Sequence, residues 1–459
     1  MKTLRIALPV LAAVASIAAG SARNPIIQTS YTPDPAPYVH NDTVYLFVDH
    51  DEDDAQYFRM KDWQLYSTDD MLNWTYRGTP MTTATFAWAR QGNDAWAAQA
   101  VERDGKWYWY MCCVDSASNI NAIGVGVADS PEGPYVDPIG RPLVPGDWGF
   151  IDPSVFVDDD GQAWLFWGNR GLWYAPLNRD MISLAGEVKP VEGLDRPECF
   201  GTLVPKMDYK TGKQRLMTGY EEGPWVFKRN GIYYIVYASG GVPEHMAYST
   251  APTIHGPWTY QGRIMDEAVN SFTIHGGSIE IDGRNFMFYH NGRLPNGEGF
   301  RRSTCVEEFE WDGDKIPFIP FTEEGVTKPL RNFNPYRTVP APTMADSYGL
   351  KTDRLAGSDH YLTSIHNGDW LKLRSVDFGQ ASPAHLKVTL GNVYRSGSIE
   401  YYLDNLGGKP IASVAVIPGV TEYTVAVDGG AKDVHDMFIL FRGDDGELFD
   451  FRSWELVRD

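Results

Sequence analysis

Apolar positions along this chain alternate with polar ones in short runs, and turn residues interrupt them about every ten positions, a β rhythm with almost no helical period. One unit recurs within it. A short apolar run meets a tight turn of Asn/Asp–Asp/Gly type, and an aromatic-rich run follows. The unit occurs at Tyr38–Val48, Ala100–Tyr110, Val155–Trp167, Trp225–Tyr237 and Ile279–Tyr289. Such turns suit positive φ, so each copy reads as a β-hairpin. Between the hairpins lies a second motif, seen as YSTDDMLNWTYRG, ADSPEGPYVD and YSTAPTIHGPWTYQG. Repeated sheet units spaced roughly 50–70 residues apart predict radial closure, an all-β five-bladed β-propeller. A β-sandwich with coincidental hairpins is the alternative, and it leaves the fivefold recurrence unexplained.

The repeat ends near Asp314. An irregular, Pro-containing stretch (317–342) reads as a linker or wrap-around strand. A new alternation follows, in DWLKLRSVDFG, HLKVTLGNVY, SIEYYLDN, EYTVAV and DMFILFRG, and predicts an independent β-sandwich over 343–459. The propeller then occupies 23–316. Residues 1–22 begin with Lys2 and Arg5, continue through an apolar run from Ile6 to Ala19, and end on Gly20, Ser21 and Ala22. That is the pattern of a secretory signal peptide, so a secreted protein is expected (periplasm, cell surface or medium), with no membrane span.

Charge narrows the partners. Forty basic residues against sixty acidic give −20, spread along the chain, which disfavours nucleic acid and anionic membrane but not a neutral substrate. Aromatic residues at 13% serve β-strands and would equally serve sugar stacking. Cys112, Cys113, Cys199 and Cys305 match no zinc spacing or disulfide framework and are expected as buried thiols.

In a propeller the innermost strand of each blade begins near the central axis, so residues just before each hairpin can converge there. Those residues are Asp34, Trp96 and Gln99, Asp152, Glu222, and His275. Three blades of five therefore offer a carboxylate at one structural address. Asp34 and Asp152 each precede Pro, and simple turn bonding by their side chains is the plainer alternative. Glu221 competes with Glu222.

In these motifs — Asp34 in Asp-Pro, Asp152 in Ile-Asp-Pro-Ser, Glu222 in Glu-Gly-Pro-Trp and the Asp/Asn-Gly-aromatic hairpins — the chain resembles glycoside hydrolase family 43 over about residues 24–315. The resemblance implies Asp34 as general base, Glu222 as general acid, and Asp152 as the carboxylate that tunes and orients the acid. It implies that His275 lies near the axis, where a structural calcium ion is often associated, and that Arg302, rather than Arg301 or Arg293, lies beside the acids. Trp96 and Phe150 are expected to bind substrate with Arg302. No cofactor is required. Inversion needs an acid and a base about 6.5–9.5 Å apart across the sugar, which carboxylates from opposed blades can provide. One departure stands out: the second blade of the family usually reads Trp-Ala-Pro-Asp, where this chain has Trp96-Ala97-Ala98-Gln99. The acidic segment DHDEDDAQYFRMKDW reads either as a loop shaping the entrance or as a solvated turn.

The second domain resembles carbohydrate-binding module family 6 over roughly Met344–Val457, through IHNGDWLKLRSVDFG, GSIEYYLDN, VHDMFILFRG and LFDFRSWEL. Asp450 stands where that family's ligand-contacting Asn is expected, with Tyr361 a candidate aromatic partner. Taken together these features imply an inverting hydrolase that removes α-L-arabinofuranosyl or β-xylosyl units from arabinoxylan-type plant polysaccharide, with endo-arabinanase a third option. A non-catalytic glycan-binding propeller of an uptake system is the competing class. A phosphorylase would need basic residues for phosphate, which the acidic tunnel does not supply.

Overall fold

The computed structural model describes residues 23–208, 212–353, 360–428 and 430–458; the signal segment lies outside them. All five anticipated hairpins form as antiparallel pairs. Their turns explain why. Asn41–Asp42, Asp104–Gly105, Asn230–Gly231 and Asp282–Gly283 all hold both central residues at positive φ, as a type I′ turn requires.

Each hairpin extends into a blade. The first has strands Ala36–His40, Thr43–Asp51, Met60–Thr68 and Trp74–Tyr76. The second has Trp96–Arg103, Lys106–Asp115 and Ile120–Ala128. The third runs from Ser154–Val157 to Lys189–Pro190, the fourth from Tyr220–Arg229 to Thr259–Met265, and the fifth from Ser278–Ile281 to Ser303–Phe309. The first strands of blades one to four touch in succession around the axis, and that of blade five touches that of blade one. Between the fourth and fifth, Gly277 lies flat against the Trp225 indole, where a Cβ would come within 2.4 Å of the ring. The N-terminal segment joins the last blade to the first: Ile26 N–H donates to Thr304 O (2.9 Å), and its side chain packs among Val44, Leu46, Phe286 and Phe288. Aromatics fill the wedges between blades. Trp63, Trp74, Trp109 and Trp167 are all fully buried, and burying a large apolar side chain contributes about 1.5–3 kcal/mol. The four cysteines are buried free thiols.

The C-terminal unit is a sandwich of two antiparallel sheets around its own core, which includes Leu371, Val388, Ile399, Phe441, Phe451 and Trp454. It is not merely tethered. Residues 317–342 form a strap: Ile319 N–H donates to Ile264 O (2.7 Å) and Leu330 N–H to Asp70 O (3.0 Å), while Val339–Pro340 pairs with the strand Phe449–Val457. Thr343–Met344 then adds an edge strand to the first blade beside Trp74–Tyr76. Asn73 exchanges two hydrogen bonds with the Arg374 backbone, at 2.9 and 2.8 Å. Of the two readings of this stretch, linker or wrap-around strand, the structure has the second, and the strap with Thr343–Met344 covers the open edge of blade one.

Gly78 tests the docking. Its φ of +99° suits glycine, and a Cβ there would lie 2.4 Å from the His360 ring. Gly78→Val should cost about 1–3 kcal/mol through backbone strain and overpacking. Thermal unfolding reads the loss, and limited proteolysis should show the strap cut first. An unchanged melting curve would mean that this contact does not hold the two units together.

Candidate active site

The blade-forming strands bend where they reach the axis. Strand Tyr220–Arg229 shifts register on either side of Glu222, strand Trp96–Arg103 between Trp96 and Gln99, and strand Thr43–Asp51 between Asp49 and Asp51. Irregularities of this kind re-aim side chains, and here they lie next to a cavity of about 470 Å3. Asp34, Trp96, Asp152, Glu222, His275 and Arg302 line it together. Sequence-distant residues from all five blades thus meet in one place.

Asp34 and Asp152 both hold left-handed backbone before proline, at φ 53° and 58°. That conformation is uncommon for a residue with a side chain and disfavoured ahead of Pro. Neither carboxylate merely closes its own turn. Asp34 meets Arg302 Nη1 at 3.4 Å and His275 Nδ1 at 3.4 Å, and its backbone N–H donates to His290 Nδ1 at 3.2 Å. Asp152 accepts the Gly223 N–H at 3.0 Å, directly beside Glu222. Glu222 Oε2 accepts from Asn169 Nδ2 at 2.5 Å. Its rival Glu221 is spent elsewhere, in ion pairs with Arg170 (2.5 Å) and Lys206 (2.7 Å).

These surroundings divide the carboxyls into two kinds. Burial works against ionising Asp34, but the Arg302 guanidinium and the hydrogen bond with His275 outweigh it and hold the carboxyl well below its usual range. Burial pushes Glu222 up to about 8, with the nearby Asp152 and Glu221 charges adding to the effect. Desolvation thus outweighs the like-charge repulsion from Asp152. Burial also raises Asp152, to about 6. Near neutral pH one carboxyl is an ionised base and another a protonated acid.

Arg302 needs reinterpretation. Its Nε and Nη2 both donate to Asp51, each at 3.0 Å, and its guanidinium lies 5.1 Å from the centre of the Phe58 ring. With its remaining arm toward Asp34 and Thr273, it acts as a counter-charge to the acids in the cavity wall. Arg301 and Arg293 bond to Asn296 and Asn291 outside the cavity lining. Phe150 also departs from expectation. It packs against Trp167 and Trp173, with ring centres 5.6 and 4.9 Å away, and from its segment Trp148 faces the cavity instead, 56% exposed. Among the described residues the side chains around His275 form no oxygen cage of the kind calcium takes, since the Asp34 carboxylate beside it is engaged by Arg302. Calcium therefore enters no step below.

Gln99 explains the altered second-blade motif. Its Oε1 accepts the Val155 N–H (2.9 Å), stapling blade two to blade three, while Ala97 faces the cavity and Trp96 keeps its place in the wall. The acidic segment proves to be an entrance element, because Phe58 and Met60 line the cavity. Asp49, Asp51, Asn169 and Trp148 escaped the sequence reading. Asp49 and Asp51 carried a usable signal, two acids closing a strand whose middle is apolar; Asn169 and Trp148 lie outside the repeated hairpins and gave none. In the sandwich, Asp450 Oδ2 accepts from Asn392 (2.9 Å) and the exposed Tyr394 hydroxyl (3.1 Å), and Arg452 lies 5.6 Å from the Tyr361 ring centre.

The comparisons agree with this geometry. Residues 22–317 match the model of glycosyl hydrolases family 43, and residues 341–458 match carbohydrate binding module family 6. An arabinoxylan arabinofuranohydrolase of Bacillus subtilis (strain 168) is 28% identical over 502 residues, covering 95% of this chain and 92% of that protein. A xylosidase/arabinosidase of Bacteroides ovatus is 30% identical over 322 residues, covering 63% of this chain and 94% of its own. The crystal structure of a Bacillus subtilis family 43 arabinoxylan arabinofuranohydrolase, in complex with cellotetraose, superposes with a TM-score of 0.78 at 25% identity, covering 96% of this chain and 99% of that one. The chain belongs to glycoside hydrolase family 43, its five-bladed catalytic propeller followed by a family 6 carbohydrate-binding module.

Proposed function

We propose that the chain is an inverting, exo-acting glycosidase that releases α-L-arabinofuranosyl units from arabinoxylan, by the work of Asp34 and Glu222. The opposed ionisation of these two carboxyls in one cavity carries the reading. Asp34 takes a proton from water as the water attacks the anomeric carbon. Glu222, protonated at neutral pH and positioned by Asn169, gives its proton to the departing glycosidic oxygen. Asp152 fixes the Gly223 backbone and raises the acid's pKa. Trp96 and Trp148 offer apolar faces to the sugar. A pure glycan binder has no need of such a split, which weighs against that alternative. Arabinofuranosyl is preferred over β-xylosyl because the arabinofuranohydrolase relative aligns across both domains, the xylosidase/arabinosidase across 63% of the chain. The signal segment would place this activity outside the cytoplasm, where its polymer lies.

Glu222→Gln and Asp34→Asn keep volume and remove proton transfer, so each should lower kcat about 10²–10⁴-fold with the fold retained. Aryl arabinofuranosides with good leaving groups should restore much of the Glu222→Gln loss and none of the Asp34→Asn loss. Normal turnover by either variant ends the assignment, and product anomer followed by NMR checks inversion.

The pH profile follows from the raised acid. Glu222 must be protonated, so kcat/KM should fall as pH rises through about 8. Asp152→Asn removes one of the charges that lift it and should move this alkaline limb downward. Burial remains, so the limb should stay above the 4.5 of an ordinary glutamate. An unmoved limb with reduced activity would leave Asp152 an orienting role alone.

The module's contribution is tested without truncation, since the sandwich is docked. Tyr394→Ala and Asn392→Ala should lower activity on insoluble arabinoxylan several-fold while sparing aryl arabinofuranoside hydrolysis, because a tethered sugar site raises local substrate concentration. Equal loss on both substrates, or on neither, would remove this cleft from polymer binding.

A further inference from the structure

One buried carboxyl at the axis has no part in the chemistry above. Asp49 is 1% exposed, and its backbone N–H donates to Pro33 O at 3.3 Å, which sets it beside Asp34. Both its carboxyl oxygens are sealed from solvent, and neither accepts a hydrogen bond from an N–H or O–H group among the described residues. The guanidinium nearby is already taken, with Nε and Nη2 on Asp51 and Nη1 directed at Asp34. What remains in reach is the carboxyl of Asp34 itself. Two ionised carboxylates cannot hydrogen-bond; the contact requires a proton on one of them.

The surroundings decide which one. Arg302, His275 and His290 face Asp34, whereas Asp49 faces Asp34, Asp51, the Cys112 thiol and the more distant Arg302 charge. The Arg302 Nη1 arm and the His275 ring approach the Asp34 carboxylate at 3.4 Å, and Asp49 has no such side-chain donor among the described residues, so the ion is favoured on Asp34. We propose that Asp49 is a positioning residue for the hydrolytic base, a buried neutral acid that donates its O–H to Asp34 and holds that carboxylate ionised and oriented toward the attacking water. The inference rests on Asp34 as the base. Burial and the adjacent Asp34 charge push the Asp49 carboxyl well above its usual range, while Asp34 is held well below, in keeping with a single proton between them. The arrangement differs from a like-charged dyad, because here the second acid acts as a hydrogen-bond donor. It also gives a role to an acid in a strand that the apolar pattern reserves for core.

The full chain carrying Glu222→Gln provides the test, since that change removes one protonated carboxyl from the infrared spectrum. Above the pH of about 6 at which Asp152 titrates, adding Asp49→Asn should abolish one C=O stretch characteristic of a protonated carboxyl. In the otherwise native enzyme, Asp49→Val should lower kcat on an aryl arabinofuranoside about 10- to 100-fold with KM little changed, the scale of one hydrogen bond to a charged group. Asp49→Asn retains an N–H donor and should recover at least tenfold of that loss. No lost infrared band, an Asn variant as impaired as the Val variant, or a fully active Val variant would each overturn the proposal. Failure of the base assignment is distinguishable: normal turnover by Asp34→Asn would remove that role, yet leave the infrared band, which reads protonation and not catalysis.

Discussion

Everything at the axis depends on one buried guanidinium serving too many carboxyls. Asp34, Asp49, Asp51, Asp152, Glu222 and Glu244 lie within one buried centre, where Arg302 meets Asp34 and Asp51, and Lys206, paired with Glu221, is the cation near Glu244. Burying an uncompensated charge is far more costly than protonating it, so these groups cannot all ionise. Geometry sets the order. Asp51 takes the bidentate face of Arg302, yet burial still raises its carboxyl, while Asp34, with the remaining arm and the His275 ring beside it, is held well below its usual range. Glu222 and Glu244 meet backbone or amide donors and no guanidinium, and burial raises both. The two carboxyls proposed as base and acid thus sit in different surroundings, Asp34 beside a guanidinium and a histidine, Glu222 beside an amide and other buried carboxyls.

The propeller assembles that centre by construction. Each blade presents its first strand to the axis, so five separate chain segments deliver polar side chains to one point while their apolar faces fill the wedges between blades. The strands end in register shifts at Glu222, Trp96–Gln99 and Asp49–Asp51, which turn side chains out of the pleat and into the cavity. Regular pairing would have sent some of these residues into the core. Gln99 shows the same economy from the other side: a residue at a site-facing address bonds the neighbouring blade instead, so the wall of the cavity and the contact between blades are one structure.

Local pattern made the architecture legible. Hairpin turns, strand alternation and the period between hairpins are properties of contiguous residues, and all five hairpins appear where the turns place them. The address of Asp34, Asp152, Glu222 and His275 follows from the same repeat. What sequence could not supply was partnership. That Arg302 belongs to Asp51 depends on a fold that joins residues 251 apart, and no spacing encodes it. Phe150 and Trp148 were indistinguishable as aromatics in one loop; only packing against Trp167 and Trp173 sends the first inward. Glu221 and Glu222 differ in the same way, since Lys206 and Arg170, which claim the former, lie on other segments.

Docking of the sandwich completes the physical account. A propeller's outer strands are its exposed edges, and an open edge is a template for unwanted pairing. Here the strap and Thr343–Met344 occupy the outer strand of blade one, and Asn73 fixes the Arg374 backbone across the junction. The same segment of chain therefore covers an edge and fixes the module's orientation. Lys351 pairs with Asp53 at 2.9 Å, in the stretch that leads on to Phe58 and Met60 at the cavity mouth. Rigid placement of this kind differs from a flexible tether. A long linker raises the concentration of polymer in every direction, whereas a docked module offers one fixed vector between its cleft and the catalytic cavity. Under the proposed function, polymer held on the module would meet the cavity from that one direction, while the junction itself covers the edge of blade one.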